Sequence, residues 1–218
     1  MNAFANFDMG GSGSEGPWLQ WSARGTQDGT IPAKSFFIRD QNGKATFEGF
    51  AQSGVVLDIN SMKTGWCYSD GVAGQAPDWK MNPTLAQFIP DPSTDGRDYK
   101  KGFKIRCAIG GGKTASWDQA GASVWNAFVA LVPHLAQQPS PDLLPLVRMT
   151  GAKFEQFKRG STNTPILEIV QWVPRPDCLK DGAMAGIATA LAAQATQAAQ
   201  PAPVAQAAPS PVPASASF

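Results

Sequence analysis

Histidine and cysteine are scarce in this sequence, and the few that occur are not grouped. There is one histidine, His134, and the three cysteines, Cys67, Cys107 and Cys178, lie far apart with no CxxC or Cys/His spacing. A structural zinc site needs several such ligands at short spacings. The sequence therefore does not predict a zinc site, and it favours a reduced, cytoplasmic setting.

An excess of charge of either sign is also missing. Lys and Arg number 18 and Asp and Glu 17, which gives a net charge of +1. A strongly basic chain would indicate nucleic acid or an anionic membrane as partner, so any such attraction must here come from local clustering. No stretch approaches the about 18 apolar residues of a membrane span, and the N-terminus has no signal-peptide pattern. We expect a soluble, unsecreted protein without a membrane partner.

Composition divides the chain into three parts. Residues 1–16 are rich in Gly, Ser and Asn, which predicts disorder. Residues 17–180 contain the apolar and aromatic periodicities of a folded domain. Residues 181–218 are dominated by Ala, Pro and Gln, and no charged residue follows Asp181. Such a segment cannot pack a core, and we predict a flexible tail.

The folded part shows mostly strand signals. "SFFIRD" and "KATFEGF" flank Asn42-Gly43, whose positive φ angles predict a tight hairpin. "WLQWSARG" and "GVVLDINSMKTGWCYS" predict further strands. "GFKIRCAI" alternates apolar with basic or small residues, which is typical of a strand with one buried face. "LPLVRMTGAKF" and "PILEIVQWV" complete the set, joined by the turn "EQFKRGSTNT", and the prolines at 174 and 176 end the sheet. Between "GVVLDINSMKTGWCYS" and "GFKIRCAI", the sequence of residues 69–101 predicts a long irregular loop that is either functional or disordered.

One amphipathic helix interrupts the strands. Ser116 to Gln119 has the form of a capping box, and apolar residues recur behind it at helical spacing, which predicts a helix from about 117 to at least 132, ending or kinking near Pro133. Strands, one helix and strands again predict a mainly β fold, preferably a β-barrel like the oligonucleotide-binding fold, with one inserted α-helix. An α+β sandwich is the alternative.

The stretch "GFKIRCAIGGGKTASW" superficially resembles a phosphate loop. The pattern GxxxxGK[ST] ends well at Gly112, Lys113 and Thr114, but its first glycine is replaced by Cys107. That glycine allows the tight turn that directs backbone amides at phosphate. The glycines are therefore interpreted as a flexible exit from a strand into the helix. A nucleotide-dependent enzyme that uses Lys113 is the least favoured hypothesis.

Basic residues interleaved with aromatic residues form the main candidate site. A groove of this kind can follow a phosphate backbone while bases stack on the rings. The alternative is that the Lys and Arg residues are only the solvated side of ordinary strands and the tryptophans are core. The predicted nucleic-acid contacts are Arg39, Lys63, Trp66, Tyr68, Trp79, Lys101, Lys104, Arg106, Lys113, Arg148 and Lys153.

The order "KKGFKIRCAI", helix, "LPLVRMTGAKF" and "TPILEIVQWVPRP" resembles the second half of phage and prophage single-stranded DNA-binding proteins with the oligonucleotide-binding fold. The resemblance covers mainly residues 99–177. It implies sequence-independent coating of single strands in DNA replication, recombination or repair, without enzymatic activity or a cofactor. For a phage protein it also implies the cytoplasm of the bacterial host.

Proteins of this kind often end in an acidic tail with an aromatic tip that binds replication or recombination proteins. Here the sequence ends in Phe218 without an acidic run, so a partner contact through Phe218 is expected but competition of the tail with DNA is not. Self-association is left open by the sequence. The alternative function is a phage structural or protein-interaction module that does not bind nucleic acid.

Overall fold

The computed structural model describes residues 17–70, 75–94, 96–157 and 160–180. In these ranges 52% of the residues lie in strands and one helix has seven or more residues, which confirms the predicted mainly β class with one inserted helix. The strands are β1 (Trp18–Ser22), β2 (Ser35–Asp40), β3 (Gly43–Thr46), β4 (Val55–Tyr68), β5 (Asp78–Met81), β6 (Lys100–Ala108), β7 (Thr114–Ala120), β8 (Leu143–Phe157) and β9 (Gly160–Pro174). The helices are α1 (Gly49–Gln52), α2 (Ala122–Leu135) and a terminal 3-10 helix (Asp177–Leu179). The predictions for residues 1–16 and 181–218, including Phe218, lie outside the described residues.

The nine strands form one sheet rather than the two layers of a sandwich. Their order is β3-β2-β1-β7-β6-β4-β8-β9, and β5 pairs with β4 off this path. β4 pairs with β6 along one edge, and along its other edge with β8 at its start and β5 at its end. The sheet curls into a half-barrel. Its two sides approach where the Asn163 carbonyl of β9 accepts hydrogen bonds from Trp21 Nε1 at 3.1 Å and Ser123 Oγ at 2.7 Å.

The inner face of the curled sheet carries the core. Trp117 on β7 and Phe103 on β6 are fully buried, and their rings meet edge to face at 4.9 Å. α2 covers this face, since its Phe128 stacks on Phe103 with ring centroids 4.2 Å apart. The opposite side of the sheet is called the outer face below.

The predicted hairpin and strands are present, with differences at the turns. β2 and β3 pair around residues 41 and 42 as predicted, but only Gly43, at φ 129°, has the expected positive φ. β8 and β9 are longer than predicted and pair from Leu143↔Pro174 to Phe157↔Gly160, so most of the predicted turn belongs to the two strands. β9 ends at Pro174, which confirms the predicted end of the sheet. The irregular region at 69–101 contains the short strand β5.

The predicted start of the helix is wrong, because Ser116 to Gln119 belong to β7. The glycines 110, 111 and 112 all have positive φ and reverse the chain, and Lys113 N donates to Gly110 O at 3.0 Å. The segment behind them pairs antiparallel with β6. The helix begins only at Ala122, after Gly121, and it continues through Pro133 to Leu135. The glycines therefore make a hairpin turn between two strands, whereas a phosphate loop leads into a helix.

A glycine pair marks the place where β4 and β6 extend beyond the core. Gly65 and Gly102 are direct cross-strand partners. A Cβ atom at Gly65 would lie 2.4 Å from the Lys80 carbonyl oxygen, and one at Gly102 would lie 2.6 Å from Ala120 Cβ. β5 lies too close to Gly65, and β7 too close to Gly102, for either glycine to be replaced by another residue. Trp66, Tyr68 and Lys101 lie on the extension beyond this point.

The side chain of Gln119 completes the pairing of β1 with β7. Its Oε1 accepts hydrogen bonds from Trp21 N at 2.8 Å and Trp117 Nε1 at 3.2 Å, and its Nε2 donates to Trp21 O at 2.9 Å. We expect Gln119→Leu to lower the free energy of unfolding by about 1–3 kcal/mol, because it leaves buried backbone groups of Trp21 without partners. Urea denaturation followed by circular dichroism measures this loss. Gln137→Leu, at an exposed position after α2, is the control, and equal stability of both variants would contradict the prediction.

Candidate nucleic-acid interface

The structure divides the predicted contact residues between the two faces of the sheet. In β6, Phe103, Ile105 and Cys107 point to the core, so Lys104 and Arg106 lie on the outer face. Directly paired residues share a face, and Trp66 pairs with Lys101, which lies on the same side as Phe103. Trp66 and Lys101 are therefore on the inner face. Lys104 and Arg106 do not share a surface with Trp66.

The cross-strand register assembles a row of residues on the outer face. Lys44 pairs with Arg39, Arg39 with Trp18, Trp18 with Ser116, and Ser116 with Arg106. Neighbouring strands lie about 4.8 Å apart, so the row crosses β3, β2, β1, β7 and β6 over about 19 Å. Three cations and one indole are thus aligned perpendicular to the strands. We call these five residues the outer row.

A second group on the outer face lies toward the glycine pair. Lys104 Nζ stands 4.9 Å from the centroid of the Trp79 ring and 3.6 Å from Asp118 Oδ2. Lys63 is the cross-strand partner of Lys104 and is exposed. We call Lys63, Trp79 and Lys104 the outer cluster. It joins an aromatic ring to two cations, of which Lys104 has an acidic neighbour.

Cys67 is the cross-strand partner of Trp79 and is buried. Burial raises the pKa of its thiol to about 11. The thiol is therefore protonated at neutral pH, and a thiolate nucleophile is not available beside the outer cluster.

The inner face at the same end of the sheet carries a separate aromatic group. Lys101 Nζ stands 5.5 Å from the ring centroids of both Trp66 and Phe88. The Phe88 ring meets Trp125 of α2 edge to face at 5.7 Å. We call Trp66, Phe88, Lys101 and Trp125 the inner cluster.

Tyr68, also on the inner face, is already engaged. Its ring lies 5.7 Å from the Arg97 guanidinium carbon and 5.6 Å from the ring of Tyr99. The Tyr99 hydroxyl donates to Asp78, and this hydrogen bond lowers the pKa of the Asp78 carboxyl. Tyr68 is thus held within a side-chain network on the inner face.

The remaining predicted contacts lie away from these groups. Lys113 is exposed on the β6–β7 turn, and Lys153 on β8 forms an ion pair with Glu155 at 2.6 Å. Arg148 alternates with the buried Val147 of β8 and therefore faces outward, but its Nε is buried without a hydrogen-bond partner. The structure does not bring these three residues into the outer row.

Among the aromatic and basic residues of these groups, sequence reasoning missed Trp18, Lys44, Phe88 and Trp125. Alternation in "WLQWS" would have placed Trp18 on the face opposite to Leu19 and Trp21, both of which are buried. Lys44 follows the predicted hairpin turn directly. Phe88 lies in an irregular segment without periodicity, so its neighbours could not be predicted.

Comparison with protein-family models, curated proteins and solved structures finds no match for the chain. In the described ranges, no group of three or more His, Cys, Asp or Glu side chains is arranged to hold a metal ion. None of the helices in the same part of the chain has the length and apolar character needed to span a membrane.

Proposed function

We propose that this protein binds single-stranded DNA on its outer face, without sequence preference and without catalysis. The observation that carries the proposal is the register that aligns Lys44, Arg39, Trp18 and Arg106 across five strands. The outer cluster extends this surface along β6 and β4. Cations spaced across a sheet can follow successive phosphates, and the indoles of Trp18 and Trp79 can stack on bases.

Single strands fit this surface better than duplex because stacking requires unpaired bases. Trp18 and Trp79 are both partly exposed and both adjoin a cation, Arg39 and Lys104 respectively. Such pairs hold a base on a ring and the neighbouring phosphate on a charge, which is independent of sequence because every base has a π-face. The basic residues supply the local field that the net charge of +1 does not.

The affinity should depend strongly on salt. Each neutralised phosphate of a single strand contributes about −0.7 to the slope of log K against log salt, so four contacts give roughly −3. Fluorescence anisotropy of labelled oligo-dT, measured at several salt concentrations, gives this slope. Absence of binding at low salt would contradict the proposal and would leave the protein-interaction module as the better hypothesis.

Removing one stacking ring tests the aromatic part. We expect Trp79→Ala to weaken binding of oligo-dT by about 5-fold to 100-fold, since a base–aromatic stack contributes about 1–3 kcal/mol. The same anisotropy titration measures the change. Phe154→Ala is the matched control, because Phe154 is a 69% exposed aromatic residue on β8, outside the outer row and the outer cluster. Equal losses in both variants would show that Trp79 has no specific part in binding.

A further inference from the structure

The inner cluster and the outer cluster lie back to back at one end of the sheet. Trp79 on the outer face pairs with Cys67, and the preceding residue of β4, Trp66, belongs to the inner face. β5 forms the edge of the sheet on this side, since among the described strands it pairs only with β4. A DNA strand that leaves the outer cluster can therefore reach the inner cluster by passing over the short edge of β5.

The inner cluster is held in place by a hydrogen-bonded loop. Asn82 anchors the loop to β4, because its N donates to Thr64 O at 2.9 Å and its Nδ2 to Thr64 Oγ1 at 2.8 Å. Ile89 closes it: its N donates to Asn82 Oδ1 and its carbonyl accepts from Trp66 Nε1, each at 3.1 Å. These bonds fix the segment that carries Phe88. The position of its ring beside Lys101 is thus determined by the backbone.

The chemistry of the inner cluster matches one nucleotide. Phe88 is 39% exposed although it is aromatic, and Leu85 beside it in the loop is 46% exposed. Among the described residues Lys101 forms no ion pair, so its ammonium group, which stands over the Trp66 and Phe88 rings, can bind an anion. An exposed ring next to a cation without an ion pair provides a surface for an unstacked base and a charge for its phosphate. Burying Phe88 under a base would also remove apolar surface from water.

We propose that a bound single strand wraps around the β5 edge and places an additional nucleotide on the inner cluster, with its base on Phe88 and its phosphate on Lys101. This inference rests on the proposed function of the outer face. The inner cluster then makes the affinity depend on the length of the DNA strand, because short oligonucleotides contact the outer face alone and longer ones reach both faces.

The test compares two lengths of oligo-dT, about 6 and about 20 nucleotides, with a variant that combines Phe88→Ala and Lys101→Gln. Both positions are exposed, so the fold should be retained, and circular dichroism verifies it. Anisotropy titration should show about a 10-fold loss of affinity for the long oligonucleotide and less than about a 2-fold change for the short one. Val132→Ala, at a 44% exposed position of α2, is the control for removing exposed apolar surface.

Photo-crosslinking gives an independent readout. With bromodeoxyuridine in the oligonucleotide, we expect cross-links to Trp66 or Phe88 with the long strand only, and cross-links to Trp18 or Trp79 with both lengths. Unchanged affinity of the variant for the long strand, as expected if a protein occupies the inner cluster, would overturn the inference while leaving the proposed function intact. Equal losses for both lengths would overturn it too. If the unmodified protein bound neither length, the proposed function itself would fail.

Discussion

Replacing Arg39 and Lys63 together by glutamate is expected to weaken binding of oligo-dT by about 100-fold or more. A hydrogen bond to a charged group contributes about 1.5–3 kcal/mol, and 1.4 kcal/mol corresponds to tenfold, so losing two contacts reaches this range before repulsion is counted. Both side chains are exposed and lie on the outer face, Arg39 on β2 and Lys63 on β4. Neither supports the core, so the fold should be unaffected.

The salt dependence separates lost contacts from a general change of charge. Loss of two phosphate contacts should reduce the steepness of the slope of log K against log salt by about 1.4. Lys34→Glu combined with Lys180→Glu changes the net charge equally, at exposed positions outside the outer row and the outer cluster. We expect this control to lose less than about 5-fold in affinity at moderate salt, because exposed charges beyond about 10 Å are screened. Equal losses in the two double variants would show that the outer face is not the binding surface.

The division of the site between two faces could be predicted only within single strands. Alternation in "FKIRCAI" correctly assigns Lys104 and Arg106 to the face opposite to Phe103 and Ile105, because the side-chain period of a strand is two residues. Which residues of β4 lie on the same face as Lys104 and Arg106 depends on a bulge in β4. The register moves from Asp58↔Arg106 to Lys63↔Lys104, so five residues of β4 match two of β6. Simple alternation would have placed Asp58 and Lys63 on opposite faces, whereas the irregularity brings both to the outer face.

The alignment of the outer row could not be predicted from the sequence for a second reason. Trp18 lies in one row with Arg106 only because β1 pairs with β7 in parallel, through the single bridge Trp18↔Ser116. This pairing joins residues almost 100 positions apart in the sequence, and no local pattern encodes it. The error at Ser116 to Gln119 has a different cause. The segment satisfies a capping box and a two-residue alternation at the same time, and the hairpin turn at the three glycines decided between them.

The fold depends most on Trp117, and we expect Trp117→Ala to lower the free energy of unfolding by about 3–5 kcal/mol. Its ring is fully buried and meets Phe36, Phe50 and Phe103 edge to face at 5.4, 5.6 and 4.9 Å. Removing it leaves a cavity among three aromatic rings that α2 and the sheet cannot fill without moving. Urea denaturation followed by circular dichroism measures the loss.

Trp172→Ala is the control for Trp117→Ala, since Trp172 on β9 is only partly buried and should cost about 1–2 kcal/mol. A loss at Trp117 no larger than at Trp172 would contradict the central position of the Trp117 ring.

Trp117 also connects stability to binding, because its neighbour on β7, Ser116, links Trp18 to Arg106 in the outer row. Loosening β7 disrupts the register that aligns the cations, so the Trp117→Ala protein should bind oligo-dT more weakly as it approaches its melting temperature. Saturating oligo-dT should in turn raise that temperature, since a ligand that binds only the folded state stabilises it.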